Sequence, residues 1–286
     1  LDLERFFDTV NHSKLIEVLS RTIKDGRVIS LIHHYLKAGV MVAHKYESTE
    51  EGVPQGGPLS PILSNILLNE LDKELSRRGH PFVRYADDCL ILVKSKRATE
   101  RVRDSISTYL EKKLFLKVNM EKTIIGDLRG KKYLGYSFYW RSKGKCGLRT
   151  HRTSQEKFKR TLKQITKRNN GKGYAWLKQR LSQYVRGWLT YYSLADMNQF
   201  IQKTDGWYRR RLRTYIWKSW KKISTKSHNL QKCGINKHQA WQWANTRKGY
   251  WHIANSWVLH RAITDESLDR AGYPQIMRLY RRLHRN

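Results

Sequence analysis

Two adjacent carboxylates, Asp87 and Asp88, follow Tyr85 and Ala86 at the corner of a predicted hairpin. Like charges so close repel each other, so neither carboxylate is favoured in a half-buried turn without a counter-charge. Neighbouring residues of a regular strand point to opposite faces, so a turn is needed to direct both carboxylates at one site. A divalent cation is the natural counter-charge. The plain alternative is an ordinary polar turn, in which Asp is a common residue.

A third carboxylate, Asp2, lies in another segment that is predicted to be a strand. Three carboxylates from two strands could hold two Mg²⁺ ions roughly 3.5–4 Å apart, and Mg²⁺ favours hard oxygen ligands. Such an ion pair activates a 3′-hydroxyl and stabilises a pyrophosphate leaving group. The three carboxylates are therefore candidates for such a two-metal site, with the ordinary polar turn as the alternative.

The elements that must position these acids can be predicted from apolar periodicity and from turn residues. Residues 81–93 are predicted to form two short strands about the Asp-Asp corner, and residues 1–7 a strand that enters a helix at 13–24, with Ser13 as its N-cap. Further predicted elements are a helix over 27–37, a strand over 40–46, a helix that begins at Ser60-Pro61, a helix over 97–114, strands over 116–123 and 131–140, and helices after 153.

Basic residues greatly outnumber acidic ones, and the excess is concentrated late in the chain. The 286 residues include 57 Lys and Arg against 24 Asp and Glu, a formal net charge of +33. After residue 150 the ratio is 30 to 6, and nine of the ten tryptophans lie there. Solubility does not require so much charge, so the composition indicates a polyanionic partner, most simply nucleic acid. We expect a mixed-charge part up to 150 and a basic, aromatic-rich part after it.

The cysteines and the apolar residues exclude several other classes. Cys89, Cys146 and Cys233 are far apart and form no CxxC pair, so neither a disulfide framework nor a zinc site is indicated, and a reducing, intracellular setting fits. The sequence has no apolar run of about 18 residues, so we expect no membrane span.

Five stretches resemble, in order, the successive polymerase motifs of reverse transcriptases: LDLERFFD, EGVPQGGPLSPILSNILLNELD, RYADDCLIL, LKVNMEKT and KKYLGYSF. The residues of these motifs are similar to those of the bacterial reverse transcriptases that group II introns encode, and the match covers nearly all of 1–140. The resemblance implies an α+β fold. In it, a right-hand polymerase palm with an antiparallel sheet precedes an all-α thumb or X domain and a basic helical C-terminal region.

The resemblance also implies roles for individual residues. Asp2 and Asp87 match the two principal metal-binding aspartates and Asp88 the third acid, so all three are candidate catalytic residues. The carbonyl of Leu3 is a candidate backbone ligand. Phe7 matches the bulky residue that excludes a 2′-hydroxyl from the incoming nucleotide, with a plain core phenylalanine as the alternative.

Further matches concern the nucleotide and the primer. Gln55, Gly56 and Gly57 match the loop that lines the nucleotide and template pocket, where glycine permits close approach of the backbone. Lys122 matches a lysine near the triphosphate, whose charge could neutralise the leaving pyrophosphate. A solvated lysine is the alternative there. The hairpin that grips the primer end is matched by Tyr133, Leu134, Gly135 and Tyr136.

Residues 155–223 resemble the maturase or X domain of intron-encoded proteins, through the phrase LSQYVRGWLTYYSLADMNQFIQKTDGWYRRRLR. Four arginines crowd one stretch of it and could bind RNA phosphates bidentately or form a solvated basic face. They are Arg209, Arg210, Arg211 and Arg213. We expect most of Trp188, Trp207, Trp217 and Trp220 to belong to the core.

Three domains follow from the resemblance: a palm over 1–150, an X or thumb domain over 151–225 and a basic DNA- or RNA-binding region over 226–286. The fingers motifs of the family would precede Leu1, and we expect the sequence to be part of a longer protein. No segment resembles the Cys-rich endonuclease domain of many relatives.

The resemblance predicts an RNA-directed DNA polymerase that also helps its intron RNA to splice, within a ribonucleoprotein of the bacterial cytoplasm. Its partners would be intron RNA as template, a DNA primer or target, and dNTPs. Two alternatives stay open: an RNA-binding splicing cofactor with an inactive or incomplete polymerase, and a reverse transcriptase repurposed for defence or diversity generation. The likeness to the X domain argues against the second.

Overall fold

Buried apolar side chains form two separate cores, which belong to two parts of the chain. The N-terminal unit is Leu1–Asp127 and the C-terminal unit is Leu128–Asn286. The computed structural model describes residues 1–42, 45–47, 49–169 and 171–284. Both units combine helices with short antiparallel strands, so the predicted α+β class is confirmed. Within these ranges, no helix is both long and apolar enough to cross a bilayer.

The N-terminal unit consists of helices and two short antiparallel hairpins. Its elements are α1 (His12–Ser20), α2 (Gly26–Lys37), β1 (Val40–Val42), β2 (Lys45–Glu47), α3 (Ser60–Arg77), β3 (Phe82–Tyr85), β4 (Asp88–Ile91) and α4 (Lys96–Tyr109). A π-helical turn over Leu110–Leu114 continues α4. Helix α1 begins one residue before Ser13, because the side chain of Asn11 accepts the backbone N–H of Lys14 at 2.9 Å. Asn11 is therefore the N-cap, and the prediction of Ser13 was wrong.

Helix α3 carries the central apolar stripe of this unit. Leu63, Leu67, Leu71 and Leu75 recur at intervals of four and are all buried, as the helical period requires. They belong to one core with Leu15 and with residues of α4. Full burial of each leucine contributes about 1.5–3 kcal/mol. Helix α3 therefore contributes a large part of the apolar contacts that hold this unit together.

The predicted strand over 1–7 is only partly present. Leu3 forms an isolated antiparallel bridge with Val118, and the next residues turn away from the extended conformation. Arg5 has a left-handed backbone (φ 45°), and Phe6–Asp8 form a 3₁₀ turn. Hydrogen-bonded neighbours on both sides, and not a long regular strand, hold this segment in place.

The C-terminal unit begins with a three-stranded antiparallel sheet. Strands β5 (Lys132–Tyr133), β6 (Tyr136–Trp140) and β7 (Cys146–Thr150) precede helices throughout the rest of the unit. The helices are α5 (Arg152–Ile165), α6 (Tyr174–Tyr191), α7 (Asn198–Ser219), α8 (Ile223–Lys232), α9 (Lys237–Ala244), α10 (Tyr250–Ile253), α11 (Trp257–Ala262), α12 (Asp265–Arg270) and α13 (Ile276–His284).

This sheet packs with the helices that follow it, so the division between compact units lies at 127–128 and not near 150. The hydroxyl of Tyr136 donates to the carbonyl of Tyr191, and the Tyr139 hydroxyl donates to Asp196. The ring of Tyr136 also lies 5.1 Å from that of Tyr192. The functional division into palm, X domain and tail stays a prediction.

Aromatic residues dominate the core of the C-terminal unit. Phe158 of α5 stacks on Trp188 of α6, with ring centroids 4.1 Å apart. Trp217 of α7 is 1% exposed, and Trp207 and Trp220 pack against the same core. The expectation that most of these tryptophans are core residues is thereby confirmed for α6 and α7.

Two of the four arginines predicted to bind RNA lie inside this core. Arg209 is 4% exposed and forms ion pairs with Asp205 (3.3 Å) and with Asp269 (3.3 Å). Arg213, 3% exposed, pairs with Asp265 at 2.6 Å and donates to the carbonyl of Ile263. Burial raises the pKa of the Asp205 carboxyl above its usual range, although the charge of Arg209 opposes the shift.

The assignment of Arg209 and Arg213 to an RNA-binding face therefore needs correction. Both lie four residues apart on the side of α7 that carries these ion pairs, where the carboxylates already compensate their charge. A buried cation with this many acidic partners is a structural element, because a phosphate could reach it only by breaking the ion pairs.

We expect Arg209→Ala to lower the free energy of unfolding by about 3–5 kcal/mol, because it removes a buried cation and leaves the half-buried carboxylates of Asp205 and Asp269 without their counter-charge. Denaturant unfolding followed by circular dichroism measures the decrease. The matched control is Lys203→Ala on the exposed face of the same helix, which should change stability by less than about 0.5 kcal/mol. Equal effects of the two substitutions would contradict the structural role of Arg209.

Candidate active site

The two adjacent carboxylates lie at a tight hairpin turn. Strands β3 and β4 pair antiparallel with Tyr85 opposite Asp88, which leaves Ala86 and Asp87 as a two-residue turn. Ala86 has a left-handed backbone (φ 52°), a conformation that costs a residue with a Cβ roughly 1–2 kcal/mol. Asp87 is half-buried and Asp88 is exposed at the start of β4. The turn departs from strand geometry, as directing both acids at one site requires.

The backbone of Asp2 is held from both sides. On one side, the nitrogen of Leu1 donates to the carbonyl of Cys89 (2.8 Å), and the Cys89 N–H donates back to Leu1 (3.3 Å). This mutual antiparallel pair brings Asp2 opposite Asp88. On the other side, the Asn119 N–H donates to the Asp2 carbonyl at 2.9 Å. The predicted proximity of the first acid to the hairpin is therefore present in the backbone pairing.

The carbonyl of Leu3 faces the same side as the hairpin. Glu4 and Asn119 provide the hydrogen bonds that flank the Leu3–Val118 bridge, so Leu3 and Val118 form a non-hydrogen-bonded pair. In such a pair the carbonyl of each residue points away from the opposing strand. The Leu3 carbonyl is thus directed away from Val118, towards the side on which Leu1 pairs with Cys89.

The donor set at this edge is chemically suited to a hard divalent cation. Asp2, Asp87 and Asp88 offer carboxylate oxygens. The neighbouring Cys89 is 4% exposed and belongs to the apolar core, where burial raises the pKa of its thiol to about 11. Among the residues with described positions, however, no three or more His, Cys, Asp or Glu side chains are already gathered closely enough to hold a metal.

Arg84 is a residue of this site that the sequence did not reveal. Its guanidinium forms a bidentate pair with Asp72 of α3, with Nε–Oδ1 and Nη2–Oδ2 distances of 2.7 and 2.5 Å. Nη1 also donates to the carbonyl of Ala86 at 2.9 Å and to the side chain of Asn65 at 3.0 Å. Arg84 therefore connects the acidic turn to the central helix of the unit.

A cavity of about 360 Å³ brings together two of the predicted nucleotide-binding residues, Phe7 and Gln55. Phe7 is half-buried, and its ring lies 5.3 Å from that of the buried Phe6. The Gln55 amide donates to the Asp8 carboxylate at 2.9 Å, and Asp8 also lines the cavity. Asp8 thus holds the side chain of Gln55 at the cavity by a polar contact.

Close contact between two backbones forms the wall of this cavity. Gly52 has φ +89°, and a Cβ there would lie 2.9 Å from the carbonyl oxygens of Phe7 and Asp8. The Val53 N–H donates to the Phe7 carbonyl at 2.6 Å. Nε2 of the buried His12 donates to the Gly52 carbonyl at 2.6 Å, while its Nδ1 has no hydrogen-bond partner in the described structure. Gly52 and His12 are further residues of the site that motif comparison missed.

Gly56 and Lys122 lie outside the cavity lining. Gly56 is exposed with φ +83°, and a Cβ there would meet no atom within 4 Å. Lys122 is exposed in a turn whose Thr123 hydroxyl accepts the Asp2 N–H at 3.3 Å. Both residues are therefore available to a ligand at the surface, and their roles stay predictions.

The predicted primer-grip residues form the β5–β6 turn of the C-terminal unit. Tyr133 pairs with Tyr136, and the turn between them has positive φ at Leu134 (49°) and Gly135 (79°). The Tyr191 hydroxyl donates to the Leu134 carbonyl at 3.0 Å. A hydrogen bond from α6 therefore supports this turn. Contact of the turn with the primer end stays a prediction.

The remaining two arginines of the predicted RNA-binding set are half-buried on α7. Arg210 donates to the carbonyl of Trp251 at 2.7 Å and stacks on that ring, 4.1 Å from its centroid. Arg211 donates to the Thr166 hydroxyl at 2.6 Å. Neither contact involves an acidic side chain, unlike those of Arg209 and Arg213.

Comparison with known families gives two matches. Residues 1–138 match the family described as "Reverse transcriptase (RNA-dependent DNA polymerase)". Residues 155–234 match "Group II intron, maturase-specific domain". Reverse transcriptases use divalent metal ions, which agrees with the oxygen donors at the hairpin.

Curated relatives come from bacteria and from fungal introns. Protein YkfC of Escherichia coli K12 is 34% identical, over 43% of this chain and 42% of YkfC. The group II intron-encoded protein LtrA of Lactococcus lactis is 28% identical, over 56% of this chain and 37% of LtrA. The retron Ec86 reverse transcriptase of E. coli is 29% identical, over 81% of this chain and 63% of that protein. The chain thus spans less than half of the length of YkfC and LtrA.

We expect Arg84→Lys to loosen the acidic turn, because one ammonium cannot reproduce the fork that joins Asp72 to the Ala86 carbonyl. Amide hydrogen exchange at residues 86–89 should become faster, and stability should fall by about 2 kcal/mol.

Arg103→Lys is the matched control, because Arg103 forms an ion pair with its exposed neighbour Asp104 and such pairs contribute about 0–1 kcal/mol. Unchanged exchange at the turn in Arg84→Lys would show that Arg84 does not position it.

Proposed function

We propose that this chain, which belongs to the group II intron-encoded reverse transcriptases, carries the catalytic palm of an RNA-directed DNA polymerase and an intron-binding maturase domain. The observation that carries the proposal is the backbone pairing of Leu1 with Cys89, which sets Asp2 opposite the Asp87-Asp88 turn. The two family matches, over 1–138 and 155–234, support the two activities separately.

Asp2, Asp87 and Asp88 would hold two Mg²⁺ ions, with the Leu3 carbonyl as an additional ligand. Bound Mg²⁺ would make the primer 3′-hydroxyl a better nucleophile and neutralise charge on the leaving pyrophosphate. Carboxylate and carbonyl oxygens are the donors that a hard cation prefers. Since the described side chains do not already form a closed cluster, ion binding would draw the carboxylates together.

The reaction joins a dNTP to a primer paired with an RNA template. The primer 3′-oxygen forms a bond to the α-phosphorus and loses its proton, while the bond to the bridging oxygen breaks and pyrophosphate leaves. Phe7 would lie under the sugar and Gln55 beside the nucleotide, at the cavity that they line together. Lys122, in the turn that holds Asp2, would contribute positive charge towards the triphosphate.

Asp87→Asn tests the catalytic assignment with little change of shape. We expect primer extension on an RNA template with dNTPs and Mg²⁺ to fall by about 10³-fold, because loss of a metal ligand costs several kcal/mol of transition-state stabilisation. RNA affinity and the melting temperature should stay unchanged.

The control for this experiment is Asp104→Asn, which removes an exposed carboxylate of α4 outside the acidic turn. It should retain full extension. If Asp87→Asn extended primers as well as Asp104→Asn, Asp87 would not be a metal ligand. The assay uses a protein long enough to polymerise, because the matched relatives extend beyond the region that aligns here.

Phe7→Ala tests the sugar contact. We expect the preference for dNTPs over rNTPs to fall by about 10²-fold, because an enlarged pocket no longer excludes a 2′-hydroxyl. Competitive incorporation of a matched dNTP and rNTP measures the ratio.

Phe115→Ala is a matched control, since Phe115 is a 57% exposed phenylalanine of the same unit that does not line the cavity. An unchanged ratio in Phe7→Ala would mean that Phe7 is an ordinary core residue.

The second candidate function is that of an RNA-binding splicing cofactor with an inactive polymerase, and the maturase-specific match over 155–234 favours it. Splicing that survives Asp87→Asn would show that the two activities are separable. Absence of extension in the parent protein would leave the cofactor role alone. The same match favours an intron-associated role over repurposing for defence, although the retron Ec86 reverse transcriptase covers more of the chain. The ribonucleoprotein would work in the bacterial cytoplasm.

A further inference from the structure

A basic cavity of about 610 Å³ lies in the C-terminal unit beside the last turn of α5. Five basic residues line it: Arg160, Lys163, Lys167, Arg168 and Arg211. None of its lining residues, all of which the structure describes, is acidic. So many like charges around one cavity repel each other, and this arrangement is favourable only when an anion or solvent compensates them.

Arg211 is a half-buried lining residue of the basic cavity. Its guanidinium donates to the Thr166 hydroxyl at 2.6 Å and to the carbonyl of Lys163 at 2.9 Å, so it also caps the C-terminus of α5. Burial, and then the charge of Arg168, lower the pKa of this guanidinium from its usual value. Its hydrogen-bond partners are thus neutral, and its positive charge is directed at the cavity without a carboxylate.

The contrast with the other arginines of α7 shows that this is a distinct arrangement. Arg209 and Arg213 each form an ion pair with an aspartate, which compensates their positive charge. Arg211, on another side of the same helix, lines the basic cavity together with Lys163 of α5 and with Lys167, which follows α5. Helix α7 therefore carries buried arginines whose charge is compensated and one arginine, Arg211, that lines a cavity without an acidic residue.

Two aromatic rings contact cations at the border of the basic cavity: Trp251 lines the cavity itself, and Tyr250 contacts its lining residue Arg168. Trp251 lines it, is 39% exposed and lies under the guanidinium of Arg210, with 4.1 Å between guanidinium and centroid. Tyr250, 38% exposed, lies under Arg168 at 5.5 Å. Exposed rings beside cations are the surface on which unpaired bases stack.

We propose that the basic cavity binds a backbone phosphate of single-stranded or looped RNA, with an adjacent unpaired base against the Trp251 and Tyr250 border. This proposal rests on the proposed maturase function and names the surface that would serve it. A single carboxylate would leave most of the five cations uncompensated, whereas a nucleic-acid backbone brings one negative charge with every nucleotide.

Two observations favour RNA over DNA as the source of the phosphate. Gln164 and Asn169 line the basic cavity with neutral amides, which can hydrogen bond a ribose 2′-hydroxyl. All lining residues except Trp251 fall within 155–234, the segment that matches the maturase-specific domain.

The test variant is the double substitution Lys163→Gln/Lys167→Gln in the full chain. Both side chains are exposed, so their replacement removes charge without opening the core. Arg211 is left intact because its substitution would also uncap α5. The matched control is Lys157→Gln/Lys203→Gln, which removes two exposed lysines of the same unit that do not line the cavity.

The measurement is fluorescence anisotropy with a short single-stranded RNA of mixed sequence and with DNA of the same sequence, over a series of salt concentrations. We expect the cavity variant to bind RNA about tenfold more weakly than the control does. The slope of log affinity against log salt should become shallower by about 0.7 for each phosphate that the variant no longer neutralises. Binding of DNA should change much less.

Three outcomes would overturn the proposal. Equal weakening by both double variants would show diffuse attraction to a basic surface and no specific cavity. Equal weakening of RNA and DNA binding would remove the assignment to RNA. The third outcome concerns inorganic phosphate. If phosphate raised the melting temperature of the control variant more than that of the cavity variant, while both variants bound RNA equally well, the cavity would be an anion site unrelated to nucleic acid.

The same experiment separates failure of this inference from failure of the proposed function. If the parent chain binds RNA and the cavity variant binds it equally well, only the cavity assignment is wrong. If the parent chain does not bind RNA at all, the maturase function is wrong as well. Primer extension, which depends on Asp87 in the other unit, should be unaffected by the control.

Discussion

The mutual hydrogen bonds between Leu1 and Cys89 are the constraint on which the candidate active site depends. They hold the segment of Asp2 against the strand that begins at Asp88, so acids that are distant in sequence share one edge. Gathering like charges is unfavourable, and the backbone pairing and the apolar core around Cys89 oppose that repulsion. A cation that binds there would relieve it.

The supports of this edge are mostly backbone contacts, reinforced by one arginine. Asn119 and Thr123 engage the peptide of Asp2 from one side, and Arg84 ties the carbonyl of Ala86 to Asp72 of α3. At the neighbouring cavity, Gly52 allows the loop of Gln55 to approach Phe7 and Asp8. Elements held by backbone and side-chain hydrogen bonds thus surround the acidic turn, and a firmly supported site of this kind suits the precise positioning of a substrate.

Positive charge is used in two different ways in the C-terminal unit. Arg209 and Arg213 are buried and neutralised by aspartates, so they serve the packing of α7. Arg211, Lys163 and Lys167 surround a cavity with no acidic residue in its lining. The net charge of the chain therefore does not measure its affinity for nucleic acid, because only the uncompensated part of that charge is available to a phosphate.

The sequence by itself determined the fold class and the order of the polymerase motifs, and it pointed to the candidate acids. Each of these depends on local patterns: apolar periodicity for α3, the turn at Asp87 and residue types in fixed order. It also separated a mixed-charge part from a basic, aromatic-rich part. The sequence did not determine which long-range neighbour a polar side chain meets, since Arg84 and Asp72, or Arg213 and Asp265, come together only through packing.

Tertiary structure alone decided that the β5–β7 sheet joins the helical unit, because its tyrosines bond to α6 and to Asp196. It also decided that four neighbouring arginines of α7 have different surroundings. Residues 209 and 213 lie on one side of α7, where the aspartates reach them, while Arg211 faces a cavity. A helical period predicts that such residues point in different directions, but only the folded chain supplies the carboxylate on one side and leaves it out on the other.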